Sequence, residues 1–126
     1  MLTRQGLYVV ETKTWSKSPK SRVTYDGKTL LVDGRSPDRD PLAQASAEAK
    51  WLRDELQKST GKAFYIHPVV VFPGWFIEST GAAHASPVWV LNPKALPGFI
   101  RHERVRISEE DLRLAAYHLA RLVRSR

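Results

Sequence analysis

The sequence contains no cysteine, and this absence limits the chemistry open to the chain. Without thiols it can form neither a disulfide nor a thiolate metal site. No apolar run approaches the roughly 20 residues that a membrane-spanning helix needs, and residues 1–6 lack the long apolar segment of a signal peptide. Together these absences predict a protein of the cytoplasm with no membrane partner.

The sequence signatures of several enzyme classes are also missing. There is no Gly-rich phosphate-binding loop of the Walker type and no nucleophile elbow. The histidines show no paired spacing typical of metal ligands; they are His67, His84, His102 and His118. The sequence therefore gives no indication of a P-loop nucleotide site, a serine hydrolase or a histidine metal centre.

Acidic residues are scarce relative to basic ones, 13 against 20, which leaves a net charge of +7. The excess lies at the two ends, with +4 over residues 1–35 and +3 over residues 101–126. A basic excess of this kind favours polyanions, most simply nucleic acid, because neutralised phosphates release their counterions. The alternative interpretation is a basic surface that only aids solubility.

The chain is predicted to form a single domain, residues 1–126, that begins with strands. Residues 7–10 are apolar, β-branched or aromatic, as in a strand, and Gly6 supplies a hairpin turn in front of it. The pair Asp26-Gly27 separates two further β-forming runs, which predicts a hairpin over residues 22–32.

A long amphipathic helix is predicted for residues 41–60. Asp40 suits its N-cap and Gly61 its end. Its apolar stripe is formed by Leu42, Ala45, Ala49, Leu52 and Leu56. The next segment, residues 64–72, is almost unbroken apolar sequence, as in a strand covered on both faces. The order strand, helix, strand predicts that this strand runs parallel to the one over residues 7–10.

The C-terminal part of the chain is predicted from pattern alone. Short strands are expected at residues 75–78 and 88–91, and Asn92-Pro93 opens a brief helix that reaches about Ile100. A terminal helix begins at Ser108, and three acidic residues in its first turn suit the helix dipole. The C-terminal strand and helices thus occupy residues 88–125.

Two charged residues close the first strand. Because side chains on a strand alternate, Glu11 and Lys13 emerge on one face while Thr12 points away. An apolar strand gains nothing from burying two charges, so the pair indicates a task such as holding a metal and a water near a phosphate. The alternative is a surface ion pair that contributes little.

The Glu-x-Lys spacing at the end of a hydrophobic strand resembles the metal-binding half of the PD-(D/E)XK nuclease superfamily. Three segments resemble more narrowly the nuclease-related domain, NERD, in the order of that family: Tyr8-Val9-Val10-Glu11-Thr12-Lys13-Thr14-Trp15, Asp40-Pro41-Leu42-Ala43-Gln44 and Pro68-Val69-Val70-Val71-Phe72-Pro73. The resemblance covers about residues 2–78. It implies an α/β fold of the restriction-endonuclease-like type, a mixed sheet flanked by helices, here lacking the usual N-terminal helix and first strands.

The resemblance also implies a function, a metal-dependent nuclease (a hydrolase) that acts on DNA phosphodiesters. Glu11 and the main-chain carbonyl of Thr12 would hold magnesium. Lys13 would orient and help to deprotonate the attacking water, or stabilise the charge of the phosphorane. Gln44 would hydrogen-bond near the metal or the phosphate; the alternative is an ordinary polar residue in a first helical turn.

Other basic residues are candidates for DNA binding. Lys17, Lys20 and Arg22 follow the Glu-x-Lys strand and would line a nucleic-acid path; the alternative is a solvated basic loop. A sheet without its first strands would expose an unpaired edge, which predicts association between copies as a homo-oligomer.

The chain departs from the family at one metal ligand. The family places an aspartate on the strand before Glu-x-Lys, and no acidic residue precedes Glu11 here. One carboxylate and a carbonyl offset the dehydration of magnesium poorly, so we expect weak or no catalysis unless Glu48, one helical turn after Gln44, compensates. We expect that the reading frame begins upstream of Met1. The alternative is a non-catalytic nucleic-acid-binding or scaffold module.

Overall fold

The structure, a computed structural model, describes residues 1–14, 22–79 and 85–125. The described chain forms two three-stranded sheets and three α-helices, which confirms the predicted α/β class. In chain order the elements are β1 (Leu7–Thr12), β2 (Arg22–Tyr25), β3 (Leu30–Val32), α1 (Pro41–Thr60), β4 (Ile66–Val71), β5 (Phe76–Ser79), β6 (Trp89–Leu91), a 3-10 turn (Pro93–Ala95), α2 (Leu96–Arg101) and α3 (Glu109–Ser125). None of the helices in these ranges is long and apolar enough to cross a membrane.

The first sheet has the order β1-β4-β6, and all its strands are parallel. The pairing of β1 with β4 runs from Leu7 beside Ile66 to Thr12 beside Val71, which confirms the predicted parallel arrangement. Strand β4 is the central strand and every one of its residues is buried. That burial on both faces explains why its sequence is apolar without alternation.

The second sheet has the order β3-β2-β5. Strands β2 and β3 form the antiparallel hairpin that Asp26-Gly27 predicts, with Gly27 at a φ of 98°. Strand β5 adds to β2 in parallel. The strands that the resemblance implies for one mixed sheet are thus divided between a parallel sheet and a mixed one.

Helix α1 begins and ends where its capping residues predict. The Asp40 carboxylate accepts hydrogen bonds from the backbone N–H groups of Leu42 and Ala43 at 3.0 and 3.3 Å. Gly61 adopts a left-handed conformation with a φ of 73°, and its N–H donates to the Gln57 carbonyl at 2.8 Å. These local contacts fix the helix ends independently of the sheet.

The helices cover opposite faces of the first sheet. On one face α1 and α3 pack against alternate residues of β1, Leu7 and Val9. On the other face Tyr8 packs with Trp89 and with residues of α2. Glu11 and Lys13 share the pleat of Leu7 and Val9, so their side chains lie on the α1 face.

A short turn precedes β1, as Gly6 predicts. Thr3 and Gly6 exchange backbone hydrogen bonds of 2.9 and 3.3 Å, and Leu2 forms an antiparallel bridge with Leu7. Tyr8 also donates its backbone N–H to the Met1 carbonyl at 2.8 Å. Residues 1–2 therefore cover the first part of the outer edge of β1.

Candidate functional site

An acid and a base lie side by side at the carboxyl end of β1. The Lys13 Nζ lies 3.5 Å from the Glu11 Oε1, and the two side chains are 15% and 25% exposed. The backbone N–H of Lys13 donates to the Val71 carbonyl at 2.9 Å, so pairing with β4 continues one residue past the end of β1. The pair is thus held at the sheet margin by backbone hydrogen bonds.

Gln44 reaches the same point from the first turn of α1. The Lys13 ammonium donates a hydrogen bond of 3.0 Å to the Gln44 Oε1. The Gln44 backbone N–H donates to the Asp40 carbonyl at 3.2 Å, which places Gln44 one turn after the N-cap. Glu11, Lys13 and Gln44 therefore meet at one place, with the ammonium between a carboxylate and an amide; their catalytic roles stay predictions.

The N-terminus of α1 already carries an internal anion. The Asp40 carboxylate takes two of the N–H groups that an external phosphate would otherwise contact. Positive charge for a ligand at this site therefore comes from side chains rather than from the helix terminus.

The donor set decides what kind of metal site these residues can form. Among the described residues there is no group of three or more histidine, aspartate or glutamate side chains that could hold an ion. Magnesium in proteins is often held by one or two carboxylates together with substrate phosphates and waters. Glu11 and the Thr12 carbonyl do not form a complete metal site with other side chains of the described residues, and their predicted role as magnesium ligands stays a prediction.

A cleft of about 590 Å³ opens beside Lys13 and Gln44. It is lined by Lys13, Val32, Arg35, Ser36, Pro37, Asp38, Arg39 and Gln44. Three cations against one carboxylate give the lining a net charge of +2. Its volume falls within the range of ligand pockets, roughly 300–1,000 Å³.

Two residues of this cleft, Arg35 and Arg39, are absent from the sequence-based site. A tight turn holds Arg35, because Val32 and Arg35 exchange backbone hydrogen bonds of 2.8 and 3.1 Å. The turn residues Asp33 and Gly34 both have positive φ, 52° and 80°, as in the mirror-image turns of hairpins. The Asp33-Gly34 pair is the sequence signal that could have located this turn.

The predicted DNA-binding residues fall in two groups. Lys17 and Lys20 lie outside the described residues. Arg22, at the start of β2, forms an exposed ion pair with Glu78 at 3.1 Å and lies 5.5 Å from the centre of the Phe76 ring. It does not line the cleft, and its predicted role in binding stays a prediction.

Comparison with known proteins gives a significant match to a family model. Searches of curated proteins and of solved structures found none. A family model described as the nuclease-related domain, NERD, matches residues 1–73, which is more than half of the chain and includes β1, α1 and β4 with Glu11, Lys13 and Gln44. The chain therefore belongs to the nuclease-related domain family, in agreement with the resemblance seen in its sequence.

Proposed function

We propose that this domain cleaves phosphodiester bonds of nucleic acid, with DNA as the substrate, at the site formed by Glu11, Lys13 and Gln44. The observation that carries the proposal is the position of the Lys13 ammonium, which contacts both Glu11 and Gln44 and borders the basic cleft. Membership of the nuclease-related domain family supports the reaction class. Catalysis of phosphoryl transfer depends chiefly on placing charge where it develops, and the Lys13 ammonium supplies that charge in this proposal.

Each of the three side chains has a distinct task in this proposal. Lys13 stabilises the negative charge that grows on the phosphoryl oxygens when water attacks phosphorus and the bond to the leaving oxygen breaks. Glu11 and Gln44 hold the ammonium in one orientation, which removes the need to reorganise it during the reaction. The water loses one proton, and the leaving oxygen gains one.

A divalent cation completes the proposal. Glu11 and the Thr12 carbonyl would hold magnesium together with a phosphate of the substrate. When bound, the ion would polarise the phosphoryl group and lower the pKa of a bound water. Because Glu11 brings a single carboxylate to the ion, the proposal requires metal and nucleic acid to bind together.

The same site favours a second candidate of a different class. Because the described residues bring no cluster of acidic ligands to Lys13, the site is also suited to holding a phosphate without cleaving the chain. This candidate is a nucleic-acid-binding or scaffold module. It shares the cleft and the ammonium with the nuclease and differs only in turnover.

A cleavage assay separates the two candidates. Supercoiled DNA is incubated with the wild type, Glu11→Gln and Lys13→Met, with and without magnesium. The control variants Lys50→Gln and Asp54→Asn change another acid–base pair, 3.1 Å apart and exposed on α1. If the domain is a nuclease, we expect magnesium-dependent nicking by the wild type. The nicking rate should fall about 100-fold or more in Glu11→Gln and Lys13→Met and should be unchanged in both controls.

Two results would contradict the nuclease proposal. Equal nicking by all five proteins would show that Glu11 and Lys13 take no part in the reaction. Salt-sensitive DNA binding without nicking at any magnesium concentration would instead establish the binding module.

A further inference from the structure

Two arginines in the cleft have no role in the proposed reaction. Arg35 and Arg39 line it together with Lys13, and both are exposed. Among the described residues neither guanidinium forms an ion pair or a hydrogen bond, whereas Arg22 is paired with Glu78. Within the same part of the chain, Asp38 lines the cleft without pairing with either arginine. These cations therefore face the cleft without a counter-ion from the described residues.

The backbone holds both arginines in defined positions. Arg35 closes the turn with Val32, and Asp33 fixes that turn to β2 through its backbone N–H, 2.8 Å from the Arg22 carbonyl, and its Oδ1, 2.9 Å from the Arg22 N. Arg39 immediately precedes Asp40, the N-cap of α1. A site whose backbone is already ordered binds with a smaller loss of entropy.

We infer that Arg35 and Arg39 form a second phosphate subsite, which holds the phosphate next to the one at Lys13. The cleft thus takes two successive phosphates of a single nucleic-acid strand. This inference rests on the proposed function, because it takes a phosphodiester chain as the ligand. Arginine suits this task, since its planar fork of donors matches two phosphate oxygens at once.

The rest of the lining agrees with such a ligand. Val32 and Pro37 supply apolar wall that a sugar or base can contact, and the Ser36 hydroxyl can donate to a phosphate. Arginines contacting phosphates alone position a strand without reading its sequence. The subsite therefore contributes to affinity for any sequence and places the adjacent phosphodiester at Lys13.

A binding assay without metal tests the inference apart from cleavage. Fluorescence anisotropy of a labelled single-stranded oligonucleotide is measured over a series of NaCl concentrations with the wild type and Arg35→Gln/Arg39→Gln. The matched control is Arg101→Gln/Arg104→Gln, which removes the same charge from exposed positions on and next to α2, on the other side of the first sheet. A third variant, Arg35→Lys/Arg39→Lys, keeps the two positive charges and removes the planar guanidinium forks.

The expected result is a loss of affinity confined to the cleft variants. Arg35→Gln/Arg39→Gln should bind about ten- to a hundredfold more weakly at 0.1 M salt, and the magnitude of the slope of log K against log salt should fall by about 0.7 for each phosphate of the single strand that the protein no longer neutralises. The lysine variant should keep the slope of the wild type, because its charge remains, and should lose part of the affinity, because the bidentate fork is gone. The α2 control should bind within about twofold of the wild type.

The outcomes that would overturn the inference are independent of the nuclease proposal. One is an equal effect of the cleft and α2 variants, which would show only a general effect of charge. Another is an equal decrease in the magnitude of the salt slope in the lysine and glutamine variants, which would show that the positive charge at these positions does not neutralise a phosphate. If Glu11→Gln abolished cleavage while the cleft variants bound normally, the nuclease would stand and the second subsite would fail.

Discussion

The Lys13 ammonium donates to the Gln44 amide oxygen at 3.0 Å and thereby connects the end of β1 to the first turn of α1. The bond is part-buried, and its geometry depends on the sheet and the helix being docked. Because Glu11 contacts the same ammonium, the position of Lys13 is determined from two elements at once. Stability and activity should therefore both respond to changes in this connection and in the residues that support it.

Replacing Gln44 should affect both folding and function. Gln44→Ala removes an acceptor from a part-buried ammonium, and we expect a loss of about 1–2 kcal/mol in the free energy of unfolding and about tenfold in nicking rate. Gln57→Ala, at an exposed position of the same helix, is the matched control and should change neither quantity. Urea denaturation measures the free energy of unfolding, and the nicking assay measures the rate. Equal values for Gln44→Ala and Gln57→Ala in both measurements would contradict the prediction.

The N-cap of α1 should support the site through the helix start. Asp40→Ala removes the acceptor for two backbone N–H groups and should lower stability by about 1 kcal/mol, which corresponds to a few degrees in Tm. Asp40→Asn retains the capping oxygen and should melt close to the wild type. Thermal unfolding followed by circular dichroism compares the two variants. If Asp40→Asn lowered the Tm as much as Asp40→Ala, the stabilising feature would be the carboxylate charge and not the capping hydrogen bonds.

The turn before Arg35 should require a residue that tolerates positive φ. Gly34 has a φ of 80°, and a Cβ there would meet no atom within 4 Å, so the effect of Gly34→Ala is one of backbone conformation alone. We expect a loss of about 1 kcal/mol for Ala and a smaller loss for Gly34→Asn, because asparagine adopts this conformation more readily. Equal melting temperatures for the two variants would contradict this assignment of the turn.

Two buried tyrosines should respond oppositely to loss of their hydroxyls. The Tyr8 hydroxyl has no hydrogen-bond partner among the described residues, whereas that of Tyr25 donates to the Val88 carbonyl at 2.6 Å. Tyr8→Phe should therefore be neutral or stabilise the fold, and Tyr25→Phe should cost about 1 kcal/mol. Urea denaturation at pH 8 tests the pair, and a Tyr8→Phe loss as large as that of Tyr25→Phe would contradict it.

Tyr8 should also make the fold sensitive to alkali. Burial, with a smaller contribution from the charge of Glu103, raises the pKa of Tyr8 to about 12. The folded state then keeps this proton at pH values where the unfolded chain, with a tyrosine pKa near 10, releases it. Stability is therefore lost as the pH rises from about 10 to about 12, by up to roughly 2–3 kcal/mol. Tyr8→Phe should lose less stability between pH 8 and 11 than the wild type, and parallel losses would exclude Tyr8 as the cause.

Local signals predicted the parts of the fold that are set locally. Asp40 and Gly61 mark the ends of α1 because capping involves neighbouring backbone groups, and Asp26-Gly27 marks the first hairpin because its turn needs positive φ. The common face of Glu11 and Lys13 followed from strand alternation. The approach of Gln44 followed only from the family resemblance, since spacing along the chain does not fix how α1 packs.

What the sequence pattern missed depends on contacts between distant segments. The division into two sheets arises because β2 pairs in parallel with β5. The sequence pattern of a short strand does not predict which strand it pairs with. In the sequence Arg35 and Arg39 look like ordinary charged residues of a loop. In the structure the Asp33-Gly34 turn and the start of α1 bring them to one cleft. The charge of that cleft is thus a product of the tertiary fold.

The parallel pairing of β1 with β4 has a consequence for how the chain forms its candidate site. Parallel neighbours require a long connection, and here it includes the hairpin and all of α1, so the chain has contacts of high sequence separation. Such contacts close slowly, because the entropy of a large loop must be lost before they form. Since Lys13 bonds to Val71, a nascent chain can complete this arrangement only after β4 has left the ribosome.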